Sequence, residues 1–360
     1  MQGILIQVIA ATFVCFALIG CNAKDVDKTK DRGMSQLPEI SADVRKQLAF
    51  TCTHEADRIP ARNPEADQLY KHARWLIKKN ILKKDPAAYP PAERLLRIAT
   101  AYGHDRANIE LRRMLEDGHA VSLDPVNESI DLVQDLIKRG IPAGYYDMGW
   151  YLEHGYGVRA DQDLAFKYFR KSADIGSPEG QFTVGQILSD KSKWGGEISE
   201  IGNAMRRCAA DQGNAEASQR FATYLQDESR MSDAIKYFQL GVSAGNATAA
   251  SSLSDAFSIK NHADPIWGLG QAADSERQSR YDVIEKFLSD YSYLHPTIPE
   301  INEIVPLPPA KLPPWDGKFK WLEEHKADKA PPLPTEERIA EMAKAKGLDP
   351  KTGQPSTVTK

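Results

Sequence analysis

An almost unbroken apolar run covers residues 4–17, inside an opening stretch of twenty residues without a charged side chain. Fourteen residues are too few to cross about 30 Å of hydrocarbon comfortably as a helix, but they suit the core of a signal peptide. Residues 22–36 are polar and charged and read as a flexible tether. Helical patterning follows, with helices expected over 44–58 and 66–80. In the second, Leu69, Ala73, Leu76 and Ile77 recur at i, i+4, i+7 and i+8, one face of an amphipathic helix. Asn63-Pro64-Glu65 supplies an N-cap and a proline near the first helical position.

A longer period then takes over. Glycines stand at 103, 140, 176, 213 and 245, spaced by 37, 36, 37 and 32 residues. Four residues after each comes a small residue: Ala107, Gly144, Gly180, Ala217, Ala249. Eight after comes an apolar one: Leu111, Met148, Val184, Phe221, Leu253. Eleven before stand Ala92, Ser129, Ala165, Gly202 and Ala234; eight before stand Leu95, Leu132, Tyr168, Met205 and Tyr237. Such a unit is two helices and two turns. Its glycine can close a helix in left-handed geometry, its small residues let helix axes approach, and its larger apolar residues fill the seam. One unit cannot bury its own apolar face, so several must stack.

The central unit, from Ala143-Gly144-Tyr145-Tyr146 through Gly155-Tyr156-Gly157-Val158, Asp161 and Ala165 to Ala173 and Gly176, resembles a Sel-one-like repeat. The resemblance covers roughly residues 88–257 and is strongest at the centre; the unit near 213 lacks the Gly-x-Gly-Val turn. It implies an all-α fold, an α-solenoid of helix-turn-helix repeats akin to tetratricopeptide arrays. Leu18-Ile19-Gly20-Cys21 resembles the bacterial lipobox, whose cysteine thiol takes a lipid before cleavage ahead of it. No Lys or Arg precedes the apolar run, a departure from that pattern, and a cleaved secretory signal with an incidental cysteine is the alternative. The expected organisation is a lipoprotein signal peptide (1–20), a tether (21–37), an N-terminal helical segment (38–87), the repeats (88–257), a capping helical segment (258–295, with a helix over 275–293) and a Pro-rich C-terminal tail (296–360).

Twelve of the 22 prolines fall in that tail, where LPPAKLPPWDGKFKWL (307–322) reads as extended and polyproline-like. Trp315, Phe319 and Trp321 are too many aromatics for a free linker, so the tail is expected to pack back along the array. A short helix is expected over 335–346, with disorder from about Asp349 onward. The formal net charge of −4 argues against a nucleic-acid surface. With Cys15 in the signal segment and Cys21 lipidated, Cys52 and Cys208 remain. An oxidising periplasm permits a disulfide between them; otherwise both are small buried apolar side chains.

No catalytic constellation emerges. Thr53-His54-Glu55-Ala56-Asp57-Arg58 begins like a zinc-protease helix, but Arg58 stands where the second histidine belongs. Cys52 and His54, two apart, diverge on a helix. The eight histidines show no metal-ligand spacing, and Gly155-x-Gly157 is a repeat turn and no phosphate loop. No enzyme activity, metal or cofactor is expected. Binding is better supported: Tyr145, Tyr146, Trp150 and Tyr151 cluster, and Trp194 and Trp267 sit in irregular stretches where exposure suits an anchor. Packing between helices is the plainer reading of most of that cluster.

The lipobox, LLRIATAYGHDRANIEL (95–111), the repeats and VPLPPAKLPPWDG (305–317) together resemble a subset of bacterial lipoproteins similar to immunity proteins that accompany type VI secretion effectors of the phospholipase D class. That resemblance implies a periplasmic protein, lipid-anchored at Cys21, that binds and blocks such an effector. The chain lacks the phospholipase D motif His-x-Lys-x4-Asp, so it is not itself that enzyme. Asn22 after Cys21 is not the aspartate of inner-membrane retention and points to the outer membrane. The alternative is an envelope scaffold or adaptor with no inhibitory role.

Overall fold

A computed structural model describes residues 46–356 apart from 262 and 265. The signal peptide, Cys21 and the tether expected from the sequence lie outside the described residues. Within them the protein is an α-solenoid with no strand, only an isolated bridge between Leu348 and Pro355. No described helix is long and apolar enough to cross a membrane.

The helices of eight or more residues are α1 (Pro64–Asn80), α2 (Tyr89–Ala101), α3 (Asp105–Glu116), α4 (Pro125–Lys138), α5 (Pro142–His154), α6 (Gln162–Asp174) and α7 (Pro178–Leu188). They continue with α8 (Gly196–Asp211), α9 (Ala215–Asp227), α10 (Met231–Ser243), α11 (Ala247–Phe257), α12 (Ser275–Asp290), α13 (Lys320–Ala327) and α14 (Glu336–Ala345). From α1 to α12 each packs on its neighbours in sequence.

The repeating glycines do what their spacing implies. Gly103, Gly140, Gly176, Gly213 and Gly245 all have φ between 70° and 108° and follow the ends of α2, α4, α6, α8 and α10. The next residue's N–H then reaches back five positions, as His104 does to Ala99 O (3.1 Å) and Ile141 to Leu136 O (2.9 Å). This pairs carbonyls that the helix end leaves open. A polar side chain promptly caps the following helix in four of the five units: His104, Ser177, Asn214 and Asn246 each accept a backbone N–H. Close approach explains the small positions. A Cβ on Gly144 would stand 2.6 Å from Leu136 Cβ, and one on Gly180 2.6 Å from Ser172 Oγ. The residues eight after each glycine, from Leu111 to Leu253, are all buried.

Two segments break the simple stack. The helix expected over 44–58 is absent beyond residue 48. The chain instead runs extended, with His54 at φ −100° and ψ 143°, before a single 3-10 turn at Glu55–Asp57. Tertiary contacts take the backbone groups a helix would have paired internally. Gln212 Oε1 accepts the Glu55 N–H at 2.7 Å, and Gln181 Nε2 donates to Thr53 O at 2.8 Å. Arg170 donates to Leu48 O and Ala49 O. This strap lies against α6, α7 and α8.

The tail is the second. Ile298, Ile301, Ile304, Val305 and Phe319 complete a core built by α9–α12. Beyond Leu322 the chain leaves that core, and α14 inserts Ile339, Met342 and Ala343 into the core of α1–α3. Arg338 pairs with Glu65 at 2.8 Å and Arg94 with Glu336 at 2.9 Å. The tail thus ties the last helices of the array to the first. Disorder from Asp349 is corrected over 349–356, the last four residues lying outside the described ones: Pro350 O accepts from Arg94 Nε at 2.7 Å, and Gln354 donates to Glu93 and to Val121 O. Those contacts depend on α2, remote in sequence, so local composition gave no sign of them.

Candidate protein-binding surface

The tail's return creates a groove that neither α1 nor α13 forms alone. On α1, Lys71, Arg74, Trp75, Lys78 and Lys79 recur at three- and four-residue spacing and share a face. Opposite stand Trp321, Glu324 and His325 of α13, then Asp328, Lys329 and Pro331. With Arg106 from α3 they line an open cleft of about 570 Å³. Arg106 also lines a second cleft of about 680 Å³, walled by strap residues from His54 to Arg62 and by Asp67, Pro178 and Gln212.

The first cleft is electropositive. Its walls carry six cationic side chains (Lys71, Arg74, Lys78, Lys79, Arg106, Lys329) against Glu324 and Asp328. Lys71 pairs with Asp67 at 2.6 Å, Arg74 with Glu110 at 3.0 Å and Lys79 with Asp328 at 2.6 Å. Among the described residues Lys78, Arg106 and Lys329 form no salt bridge. Burial, and then the Arg74 guanidinium, hold the Lys78 ammonium below its ordinary pKa. That is the signature of a cation without full compensation. Aromatic rings interleave: Lys79 Nζ sits 4.4 Å from the Trp75 ring centre, and Trp321 stacks on His325 at 5.1 Å. In the second cleft, burial first and Glu179 and Asp105 next push the Glu55 carboxyl up to about 7. Arg62 clasps Asp105 through two bonds of 2.6 and 2.8 Å. Mixed aromatic and charged walls of this kind suit a protein partner.

The residues singled out by sequence are distributed differently. Tyr151 is fully buried, and its hydroxyl donates to Glu116 at 2.5 Å beside Arg112, so it offers a partner no surface. Tyr145 and Tyr146 are half-buried, next to Tyr168 and Phe169. Trp150 is 39% exposed and stacks on His154 at 4.2 Å. Trp194 is half-buried and ends a four-residue helix, its indole donating to Ile187 O at 2.7 Å. Trp267 is 57% exposed, beside the exposed Ile266 in the loop after α11. Cys52 and Cys208 are joined by a disulfide between the strap and α8. The α1–α13 groove escaped sequence reading because its walls lie some 250 residues apart. The basic face of KHARWLIKK (71–79) was the available signal.

The Sel1 repeat model matches residues 142–177, and a domain of unknown function, DUF6396, matches 249–356. No curated protein matches the chain. Three solved structures from Pseudomonas aeruginosa are similar. PA5086 is 28% identical, with a TM-score of 0.54, covering 72% of this chain and 95% of that one. The immunity protein Pa5087 is 26% identical at 0.54, with the same coverage. The immunity protein PA5088 is 26% identical at 0.57, covering 72% and 94%. The chain is a Sel1-repeat α-solenoid similar to proteins of Pseudomonas aeruginosa, two of which are named as immunity proteins.

Proposed function

We propose that this chain is a periplasmic immunity lipoprotein that binds and neutralises an antibacterial type VI secretion effector of the phospholipase D class. The observation carrying the immunity role is the similarity to Pa5087 and PA5088, which extends over nearly the whole of each. The effector class, the lipid on Cys21 and the outer-membrane location rest on the sequence resemblance. Contact is proposed at the electropositive α1–α13 groove, with Trp150 and Trp267 as further anchors. Neutralisation is by protein–protein contact, without a cofactor and without nucleic acid. Such a groove selects an acidic surface on its partner and speeds encounter.

Purified chain and purified effector should form a complex that abolishes lipid hydrolysis. The double variant Lys78→Glu, Arg106→Glu should weaken that complex and blunt its salt dependence. A strain lacking the chain should be killed by its parent on contact. If that strain survives as well as its parent and the chain fails to bind the effector, the reading is wrong and a scaffold role takes its place.

A further inference from the structure

The strap's extended backbone changes what Cys52 and His54 can do. On a helix, side chains two residues apart diverge; on an extended segment they project to the same side. Here both face α8, where Cys208 stands. One ligand atom from each of Cys52, His54 and Cys208 lies within 4.8 Å of the others. Among the described residues the His54 ring makes no hydrogen bond, leaving both nitrogens available. His54 also lines the open second cleft, which gives a small ion a route in and room for a water ligand.

We propose that, once the Cys52–Cys208 bond is reduced, Cys52, His54 and Cys208 form a site for a thiophilic divalent cation of the zinc class. Zn–S bonds of about 2.3 Å and Zn–N bonds of about 2.0–2.1 Å in tetrahedral geometry put donor atoms roughly 3.5–3.8 Å apart. The donor atoms, all within 4.8 Å of one another, reach that spacing once the reduced sulfurs move apart to nonbonded distance and the His54 ring closes on them by up to about 1 Å. Three protein donors leave the fourth position to water. The site does not need the disulfide to hold it together, because Gln212 and Gln181 pin Glu55 and Thr53 on either side of His54.

The chemistry balances in two steps. A dithiol reductant delivers two electrons and two protons to the disulfide, giving two thiols while it becomes a disulfide itself. The cation then displaces the two thiol protons to solvent, and neutral His54 donates a ring lone pair. Disulfide and metal dithiolate exclude one another. The strap is therefore fastened to α8 covalently in oxidising surroundings and through the ion in reducing ones.

The test uses the full chain, reduced by a phosphine that is then removed without air, with zinc and cobalt(II) as probes. Cys52→Ser/Cys208→Ser, which keeps Cys15 and Cys21, sets the background. The reduced protein should hold one more equivalent of zinc than that variant, and its cobalt form should show thiolate-to-metal charge-transfer absorption. His54→Ala should weaken binding by more than about tenfold. The oxidised protein should bind no more than background. Equal binding by oxidised and reduced protein would overturn the proposal, even if the double variant failed to fold. So would binding by His54→Ala as tight as that of the unmodified chain.

Discussion

At the scale of single residues, two positions in α5 show opposite constraints. Gly144 is a contact point. An alanine there would gain helix propensity of about 1 kcal/mol but place its Cβ 2.6 Å from Leu136 Cβ and 2.9 Å from the Ile137 nitrogen. Backbone atoms on α4 cannot step aside cheaply, and overpacking of this kind costs about 1–3 kcal/mol. Gly144→Ala should therefore lower the urea unfolding midpoint, and an unchanged midpoint would show that α4 and α5 can slide apart. Asp147, one turn on, is an electrostatic constraint. It pairs with Arg112 at 2.7 Å, yet burial outweighs that attraction and pushes its carboxyl up to about 6. Burial also opposes the Arg112 cation, but Asp147, Tyr151 and Glu116 together keep it charged. The sign follows from linkage. Between the ordinary 3.8 and about 6 the native state holds the proton more tightly, so Asp147's contribution to stability is fullest below about 4 and is lost as pH rises through 6. Asp147→Asn should remove that dependence. The stability difference between the two proteins should change by up to about 3 kcal/mol from pH 4 to 7, at 1.36 kcal/mol per unit. Parallel curves would show that the carboxyl titrates normally.

At the scale of elements, α14 is the informative case. Three of its side chains, Ile339, Met342 and Ala343, are buried in the core of α1–α3, while the core completed by the earlier tail is a separate one. Met342→Ala should cost about 2–4 kcal/mol from transfer and cavity terms. Its effect on hydrogen exchange should be local: faster exchange over 89–116, little change over 215–257. Uniform acceleration along the array would contradict two separate cores. The same comparison explains what sequence could reveal. The repeat helices were legible because each is specified by residues within one unit: a closing glycine, a small residue four later, an apolar one eight later. The cap and apolar face of α1 were legible for the same reason. The strap was not, because its conformation is fixed by Gln181, Gln212 and Arg170, more than 100 positions away. Packing was the plainer reading of the aromatic cluster, but that Tyr151 is its fully buried member was not legible, since an aromatic at a helix face reads alike whether it meets solvent or Arg112. The order of 349–356 and the electropositive groove fail for that reason too, each being made by segments joined only in three dimensions.

At the scale of the whole molecule, those distant joins change how the array should unfold. A bare solenoid is held by nearest neighbours, and its units can fray one after another from the ends. Here the tail ties the last helices to α1 and α2, and the disulfide ties the strap to α8 across a sequence separation of 156. Closing so long a loop removes much of the unfolded chain's freedom, worth about 5 kcal/mol in the chain-entropy treatment and typically 2–4 kcal/mol in practice. Both ends of the array are thereby coupled to its middle. With the disulfide intact, thermal unfolding should be one cooperative transition. Reduction in buffer containing a chelator should leave the far-ultraviolet circular dichroism at room temperature unchanged but lower the midpoint. Hydrogen exchange should then rise first at the strap, over residues 49–57, because there the hydrogen bonds to Gln181, Gln212 and Arg170 and the packing of Phe50 are what remains. If reduction leaves both midpoint and strap exchange unaltered, the side-chain contacts alone hold the strap and the covalent link adds nothing. If exchange rises equally in every helix, the disulfide acts on the unfolded chain only, and the coupling between ends and middle must come from the tail.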